Sequence, residues 1–247
     1  MDFDSDGIRL HFELHGPEGG TPIVLVHGFA SDYQLNWVGT RWQETLTSAG
    51  FRVIGLDCRG HGSSDKPHDP ATYALEIMAA DVRRLLDHLE IKSANYLGYS
   101  MGGKIGVQGM LDFPKRLDRV VLGGAGWFGA FRAADDIAKA LRGGPTDSPV
   151  AKTFYDFARA RPSNDLEALA ACILGPQPKP ETAALAAITN PLLVVVGEQD
   201  DIVYDVDKLI ESIPTAKLVR IAGRNHMSTV PAREFKEATV EFLAAGD

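Results

Sequence analysis

The chain has 247 residues, of which 45% are apolar and 23% charged, enough for one large α/β domain or a domain with an insertion. Its net charge of −8 and its lack of any long basic run exclude a nucleic-acid partner, because phosphate binding needs clustered lysine and arginine. Two distant cysteines without zinc-site spacing predict free thiols in a reducing compartment. We expect no signal peptide and no membrane span, and hence a cytoplasmic monomer or small homo-oligomer.

Apolar runs bounded by glycine or proline predict the β-strands. The first, "IRLHFELHG" at 8–16, alternates apolar and polar residues, which suits a half-exposed antiparallel edge strand. The later runs are almost continuous valine, isoleucine and leucine, as is typical of strands that are covered on both faces. These later strands are predicted at 22–28, 51–57, 94–100, 118–124, 191–200 and 216–223.

Segments with helical spacing of apolar residues separate these strands. Strand–helix alternation implies parallel strands joined by crossover helices on both faces of one sheet. We therefore predict an α/β fold with a mostly parallel sheet of about eight strands. The helices are predicted at 37–49, 72–90, 101–112, 203–213 and 231–245.

One region, residues 125–188, breaks the alternation. It contains short helical pieces separated by proline and glycine, and its aromatic residues give it too much apolar surface for a disordered linker. We predict a helical cap, or lid, inserted between two strands of the sheet. The core domain would then comprise 1–124 and 189–247.

The segment "GYSMG" places Ser100 between Gly98 and Gly102, where a predicted strand ends and a predicted helix begins. At such a sharp turn the serine backbone takes an unfavourable conformation, and the residues two positions away come so close that glycine fits best. This is the G-x-S-x-G elbow, which raises the serine hydroxyl above the strand ends. We expect Ser100 to be a nucleophile and the amide of Met101, at a helix N-terminus, to stabilise an oxyanion.

A serine hydroxyl needs a base that takes its proton and a third group that orients the base. His226 follows the last long predicted strand in a loop, from which a base can reach over the sheet ends. Asp200 and Asp201 both follow the strand "LLVVVG" and precede His226, so either completes the order serine, aspartate, histidine, with Asp200 favoured. The remaining histidines are expected to be structural or on the surface: His11, His15, His27, His61, His68 and His88.

Five segments together resemble the α/β-hydrolase superfamily, in the right order and over nearly the whole chain. They are "LVHGFASD", "LDCRGHGSSDKP", "YLGYSMGG", "PLLVVVGEQD" and "IAGRNHM". The resemblance implies that Ser100 is the nucleophile, His226 the base and Asp200, rather than its neighbour, the acid. It also implies a second oxyanion amide at Phe29 and a cap inserted after the sixth strand.

The expected substrate pocket lies around the elbow and the start of the cap, with Gly28, Tyr99, Trp127 and Phe128 as its predicted lining. Residues 124–129, "GAGWFG", match a dinucleotide fingerprint, but they follow several strands and enter the presumed cap, whereas such sites normally use the first βαβ unit. No metal-ligand spacing occurs in the sequence. We expect neither a cofactor nor a metal.

The predicted function is hydrolysis of carboxylic esters with small to medium, uncharged acyl groups through an acyl-enzyme. A serine at the elbow disfavours the alkyl-enzyme chemistry of epoxide hydrolases and haloalkane dehalogenases, which carry aspartate there. Two alternatives stay open: cleavage of a carbon–carbon or amide bond on the same fold, or a ligand-sensing protein that retains the triad. No cationic pocket group is evident from the sequence.

Overall fold

The structure, a computed structural model, describes residues 1–129 and 131–245. These residues form one eight-stranded sheet. The strands are β1 (Asp2–Ser5), β2 (Ile8–His15), β3 (Thr21–Val26), β4 (Phe51–Leu56), β5 (Ala94–Tyr99), β6 (Leu117–Gly123), β7 (Leu192–Gly197) and β8 (Ala216–Ile221). The α-helices are α1 (Trp42–Ser48), α2 (Leu75–His88), α3 (Met101–Asp112), α4 (Ala134–Leu141), α5 (Pro149–Arg159), α6 (Leu166–Ile173), α7 (Thr182–Ala186), α8 (Val206–Ser212), α9 (His226–Thr229) and α10 (Arg233–Ala244).

The strand order is β1-β2-β4-β3-β5-β6-β7-β8. The pairs β1–β2 and β2–β4 are antiparallel, and every later pair is parallel. All residues of β5 and β7 are buried, as their unbroken apolar runs predict for strands covered on both faces. The predicted fold class, a mostly parallel sheet of about eight strands with helices on both faces, is confirmed.

Alternate side chains of the central strands enter two separate cores. In β3, Val24 points into the core that also contains α2 and α3, whereas Leu25 points into the core that contains α1 and α10. In the second core the indole of Trp42 packs edge-to-face on Phe235, with ring centroids 4.7 Å apart, and donates its N–H to the carbonyl of Val230. The sheet is thereby fixed from both sides, which positions the loops at its edge.

The first strand, β1, has no counterpart among the predicted elements. Its four residues alternate exposed aspartate with buried Phe3 and Ser5, too short a pattern to recognise beside an acidic N-terminus. The helix predicted at 37–49 begins only at Trp42, because Arg41 takes a left-handed backbone conformation with φ +65°. A separate π-helical turn, Gln34–Val38, precedes it.

Between β6 and β7 the chain forms α4, α5, α6 and α7, and its described residues contain no strand. We call residues 125–188 the insertion. It contacts the core domain over the carboxyl ends of the strands. The amide of Leu75 donates to the carbonyl of Pro176 at 3.0 Å, and Phe154 packs on Phe29 with ring centroids 5.8 Å apart. That the insertion acts as a lid stays a prediction.

The thiols of Cys58 and Cys172 are free and buried, as the sequence predicts. Burial raises the pKa of Cys172 to about 12, so that this thiol is neutral at ordinary pH. Within the described ranges, no helix has the length and apolar character needed to cross a bilayer.

Candidate active site

Ser100 occupies the single residue between the end of β5 and the start of α3. Its backbone has φ +53° and ψ −106°, outside the regions that L-residues prefer. A Cβ at Gly98 would lie 2.2 Å from the carbonyl oxygen of Gly102, and a Cβ at Gly102 would lie 2.1 Å from that of Val26. The two glycines are therefore required by close backbone approach, as the elbow pattern predicts.

The structure places a carboxylate directly behind the predicted base. Nδ1 of His226 lies 2.8 Å from Oδ2 of Asp200, and both side chains are buried, 6% and 1% exposed. The other oxygen of Asp200 accepts from the amides of Ile202 and Val203, each at 3.1 Å. Asp201, by contrast, is exposed. Asp200 is thus the aspartate that can orient the ring, with Nδ1 as donor and Nε2 left as acceptor.

His226 begins the short helix α9, and the backbone around it is fixed. Asn225 caps the helix through a reciprocal pair with Ser228, in which each side chain accepts from the other residue's amide at 2.9 Å. The phenol of Tyr99 donates to the carbonyl of His226. Burial raises the pKa of Tyr99 well above its usual value, so that it remains a neutral donor. Sequence analysis did not anticipate α9 or this contact.

Ser100 and His226 line one cavity. In the described part of the chain, no hydrogen bond joins the serine hydroxyl to the imidazole. Proton transfer between them therefore requires a hydrogen bond between Oγ and Nε2 to form. Catalytic hydrogen bonds of this kind commonly tighten only when substrate is bound.

Phe29, in the loop after β3, lines the same cavity. Neither the amide of Phe29 nor that of Met101 has a hydrogen-bond partner within residues 1–129 and 131–245. Asn36, which sequence analysis missed, accepts from the amide of Gly28 at 3.0 Å and so fixes the start of this loop. Two free amides on fixed backbone beside a serine can stabilise a developing oxyanion.

His27 and His61 hold the same loop and are structural, as expected. Nε2 of His61 accepts from the amide of Ala30 at 3.1 Å, and Nε2 of His27 accepts from that of Cys58 at 3.0 Å. Burial lowers the pKa of both imidazoles, that of His61 to about 3, so both rings stay neutral acceptors at ordinary pH.

Ser100 lines two cavities, and we name each, as a lobe, after a polar residue that lines it. The Lys104 lobe and the His226 lobe comprise about 810 and 1060 Å³ of space between atoms, including solvent at their open mouths. The residues shared by both lobes are Phe29, Ser100, Phe154 and Ile202. The Lys104 lobe is also lined by Tyr73, Leu75, Met78, Met101, Trp127, Phe131, Cys172 and Tyr204, and the His226 lobe by Gly28, Leu35, Asn36, Tyr99, Phe157 and Met227.

The predicted pocket residues are distributed unevenly over these lobes. Trp127 lines the Lys104 lobe, whereas Gly28 and Tyr99 line the His226 lobe. Phe128 is not among the residues that line either lobe. Its ring packs against Trp127 at 5.4 Å and an interplanar angle of 65°, so it supports the wall from behind.

Lys104 is a pocket residue that sequence analysis missed. It lies one helical turn after Ser100 on α3, and its ammonium donates to the carbonyl of Gly129 at 3.0 Å and to Oε1 of Gln177 at 2.6 Å. Burial lowers its pKa to about 8. The only signal in the sequence is a lysine four residues after the nucleophile, in the first turn of the helix that the elbow predicts.

The described residues contain no group of three or more His, Cys, Asp or Glu side chains placed to hold a metal ion. The segment "GAGWFG" leaves β6 as an irregular loop, in which the amide of Trp127 donates to the carbonyl of Tyr204 at 2.9 Å. The next helix, α4, begins only at Ala134. This segment therefore lacks the helix N-terminus that a dinucleotide fingerprint places at the pyrophosphate.

Comparison with known proteins agrees with this geometry. Residues 21–155 match the family model described as alpha/beta hydrolase fold. A hydrolase from Pseudomonas aeruginosa PA01 superposes with a TM-score of 0.83 at 28% identity, over 99% of this chain and 98% of that one. The enol-lactonase from Burkholderia xenovorans LB400 does so with 0.83 at 25% identity, over 99% of this chain and 100% of that one.

Among curated sequences, a putative 2-succinyl-6-hydroxy-2,4-cyclohexadiene-1-carboxylate synthase from Bacillus subtilis is 32% identical over 118 residues. The alignment spans 48% of this chain and 41% of that relative, so the chain covers less than half the length of this relative. The similarity to the two solved structures, in contrast, extends over almost the entire length of both partners.

Proposed function

The chain belongs to the α/β-hydrolase family, and we propose that it is a serine hydrolase that cleaves carboxylic esters of small to medium acyl groups through an acyl-enzyme. The observation that carries this proposal is the buried pair of Asp200 and His226 beside the cavity in which Ser100 stands. A buried imidazole with a carboxylate at one nitrogen and a serine near the other is the arrangement that activates a hydroxyl.

In the proposed acylation, Oγ of Ser100 attacks the ester carbonyl while Nε2 of His226 accepts its proton. Asp200 holds the ring and stabilises the imidazolium that forms. The oxyanion that develops on the carbonyl accepts hydrogen bonds from the amides of Phe29 and Met101. One such donor commonly contributes about 3–4 kcal/mol to the transition state.

The imidazolium then gives its proton to the leaving alcohol, and the acyl group stays on Ser100. Because His226 lines only one of the two lobes, the alcohol lies in the His226 lobe and the acyl group in the Lys104 lobe. A water molecule that enters the vacated His226 lobe is activated by the same imidazole and releases the acid. In this scheme the insertion, which contributes Phe154 to both lobes, acts as a lid.

Two further observations support the proposal. A lactone is a cyclic ester, and the enol-lactonase from Burkholderia xenovorans is named for hydrolysis of one. Its chain matches this one from end to end. The free, buried thiols fit a reducing cytoplasmic setting, which we propose for this protein.

The test is hydrolysis of p-nitrophenyl acetate and butyrate by wild type and by Ser100→Ala, with the two neighbouring aspartates as a matched pair. We expect Ser100→Ala to abolish turnover, and Asp200→Asn to lower kcat by about three to four orders of magnitude because the ring loses its orienting acceptor. Asp201→Asn should stay within about twofold of wild type, since its carboxylate is exposed.

Equal residual rates in wild type and Ser100→Ala would contradict the proposal. A matched panel of esters, amides and diketones separates the alternatives: faster turnover of an amide or a carbon–carbon bond would replace the ester. Tight binding with negligible turnover across the whole panel would indicate a ligand-sensing protein instead.

A further inference from the structure

We propose that Lys104 binds a carboxylate at the far end of the acyl group, so that the preferred substrates are half-esters of dicarboxylic acids. This inference rests on the proposed ester hydrolysis at Ser100, and it replaces the expectation of an uncharged acyl group. The ammonium and the nucleophile line the same lobe, and Lys104 belongs to the helix that begins directly after Ser100.

The surroundings of Lys104 lack a counter-charge. Of the described residues that line the Lys104 lobe, Lys104 alone is charged, and the others are mainly aromatic and aliphatic. No carboxylate of the described chain lies within 4.0 Å of its ammonium, whereas the other deeply placed cation of the core, Arg59, is paired with Asp81 at 2.7 Å. An ammonium with only neutral partners in an apolar cavity is costly, and a ligand carboxylate would remove that cost.

The hydrogen-bonding capacity of the ammonium leaves room for a ligand. It has three N–H donors, of which the carbonyl of Gly129 and Oε1 of Gln177 take two. The third donor has no partner in the described chain. The lowered pKa of about 8 still leaves the group mostly protonated at neutral pH, as binding of an anion requires.

The geometry also fixes which end of the ester carries the charge. The alcohol lies in the His226 lobe, next to the group that protonates it, so the Lys104 lobe holds the acyl side. Lys104 follows Ser100 by one helical turn, roughly 6 Å along the helix axis. Because both groups line one lobe, we infer a short chain of a few carbons between the scissile carbonyl and the carboxylate.

Three exposed cations surround the same lobe. Lys179 and Lys208 lie over the ring of Trp127, 5.7 and 4.4 Å from its centroid, and Arg132 lies 4.6 Å from that of Tyr204. Both aromatic residues line the Lys104 lobe. In a chain of net charge −8, a local group of cations at one cavity favours the approach of an anion.

The competing explanation is that Lys104 only ties the insertion to the core domain through Gln177. The two readings differ in substrate selectivity. A tie would affect charged and neutral esters alike, and loss of Gln177 would mimic loss of Lys104. A carboxylate-binding group would affect the charged ester specifically, and Gln177 could be replaced without loss of that preference.

The experiment compares monomethyl glutarate with methyl pentanoate, which has the same chain length and a neutral end. The measured quantity is the ratio of their kcat/KM values in wild type, Lys104→Met, Gln177→Leu and Lys115→Met. Lys115 is exposed in the turn Pro114–Arg116, directly before the amino end of β6 and so away from the carboxyl ends that carry the site, and its variant removes the same charge there. We expect a preference for the glutarate that falls about tenfold or more in Lys104→Met alone.

A ratio in Lys104→Met within threefold of wild type would overturn the proposal, as would an equal fall in Gln177→Leu. Binding of monomethyl glutarate to Ser100→Ala, measured by calorimetry, separates this inference from the proposed function. Binding that weakens about tenfold when Lys104→Met is added supports the carboxylate site even if wild type cleaves no ester. Ser100-dependent cleavage of methyl pentanoate without any effect of Lys104 leaves the proposed function standing and refutes the site.

Discussion

Each of the two proposed oxyanion amides adjoins a residue with a left-handed backbone. Ser100, before Met101, has φ +53°, and Ala30, after Phe29, has φ +59°. Such conformations cost about 1–3 kcal/mol for a residue with a Cβ and persist only where the surroundings impose them. Here the amide of Ser100 donates to the carbonyl of Gly123 at 2.8 Å, and that of Ala30 donates to His61. The strained backbone therefore lies at Ser100 and Ala30, the residues next to the two free amides.

The strain at the elbow predicts a difference between two inactive variants. Ser100→Gly should be more stable than Ser100→Ala by about 1 kcal/mol, because glycine accepts a positive φ and alanine does not. Urea denaturation followed by circular dichroism measures both free energies of unfolding. If Ser100→Ala proved equally stable or more stable, the elbow would not be strained.

Lys104→Met should stabilise the protein at pH 7 by about 1–3 kcal/mol, because it removes a buried charge without a counter-charge. The folded pKa of about 8 lies below the ordinary value of 10.5, so wild type gains stability as the pH rises from about 8 to about 10.5. Lys104→Met has no ammonium to deprotonate and does not gain this stability. The difference in free energy of unfolding between the variant and wild type should therefore narrow at high pH. The titratable groups facing Lys104 in the lobe are Cys172, Tyr73 and Tyr204.

Thermal unfolding at pH 7 and pH 9.5 checks this prediction, with Lys115→Met as the surface control. A lower Tm for Lys104→Met at both pH values would show that the two hydrogen bonds of the ammonium outweigh the cost of its burial.

Sequence reasoning selected Ser100, His226 and the pair Asp200 and Asp201 because each lies at or shortly after the end of a strand, and strand ends meet at one edge of a parallel sheet. The choice of Asp200 over Asp201 came mainly from the resemblance to the α/β-hydrolases. Sequence reasoning could not identify Lys104 or Asn36. Lys104 reaches across the lobe to Gln177, on a segment whose position over the core depends on packing of the insertion. Asn36 lies in the π-helical turn Gln34–Val38, which no periodic pattern in the sequence predicts. Their catalytic and binding roles remain proposals.

Among the elements, the buried strands agree best with the prediction. A short, unbroken apolar run bounded by glycine or proline rarely forms anything other than a buried strand. The starts of helices were predicted less well. The helix expected from residue 72 begins at Leu75, because the 3₁₀ turn Pro70–Tyr73 precedes it, with Asp69 accepting from the amide of Ala71 at 2.9 Å. The start of such a helix depends on which side chain hydrogen-bonds the nearby backbone amides, and the sequence pattern does not specify this.

The glycines of α3 allow a matched test at the level of the helix. A Cβ at Gly102 would meet backbone atoms of β3, 2.1 Å from the carbonyl oxygen of Val26, and neither element can retreat. We expect Gly102→Ala to cost about 3 kcal/mol or more, or to prevent folding. A Cβ at Gly109 would meet only side chains, at 3.0–3.1 Å.

The free energy of unfolding of Gly109→Ala should therefore lie within about 1 kcal/mol of the wild-type value, because the gain in helix propensity offsets mild crowding. Chemical denaturation of both variants gives the comparison. Similar stabilities would mean that the close approach between α3 and β3 is not required by the fold.

At the scale of the whole molecule, the insertion is joined to the core domain by polar contacts around the cavity. Arg161 pairs with the buried carboxylate of Asp32, and Asn164 donates to the carbonyl of Ala30 at 3.4 Å. Asp32 also accepts from the amide of Leu35 at 2.7 Å. These contacts join the insertion to the loop that carries the Phe29 amide, so any movement of the insertion would disturb that loop.

The distribution of charge predicts a salt-dependent effect on anionic substrates. The double variant Lys179→Glu and Lys208→Glu should raise KM for monomethyl glutarate several-fold at low ionic strength, because it replaces two cations beside the Lys104 lobe with carboxylates that repel an anion. The effect should shrink in 0.5 M salt, where screening acts within roughly 4–5 Å. Steady-state kinetics at both salt concentrations, with methyl pentanoate as the neutral reference, test this. An equal rise in KM for both esters would indicate that the double variant alters the structure instead.

The partition of the cavity into two lobes has a consequence for what the intermediate can react with. Once the first product departs, the chamber beside the imidazole is empty while the acyl chain still fills the other. Any small alcohol that diffuses in competes with water for the same activated position. Added butanol should therefore divert part of the acyl flux into a new ester, and the proportion of transfer to hydrolysis would report how readily that chamber admits an organic acceptor.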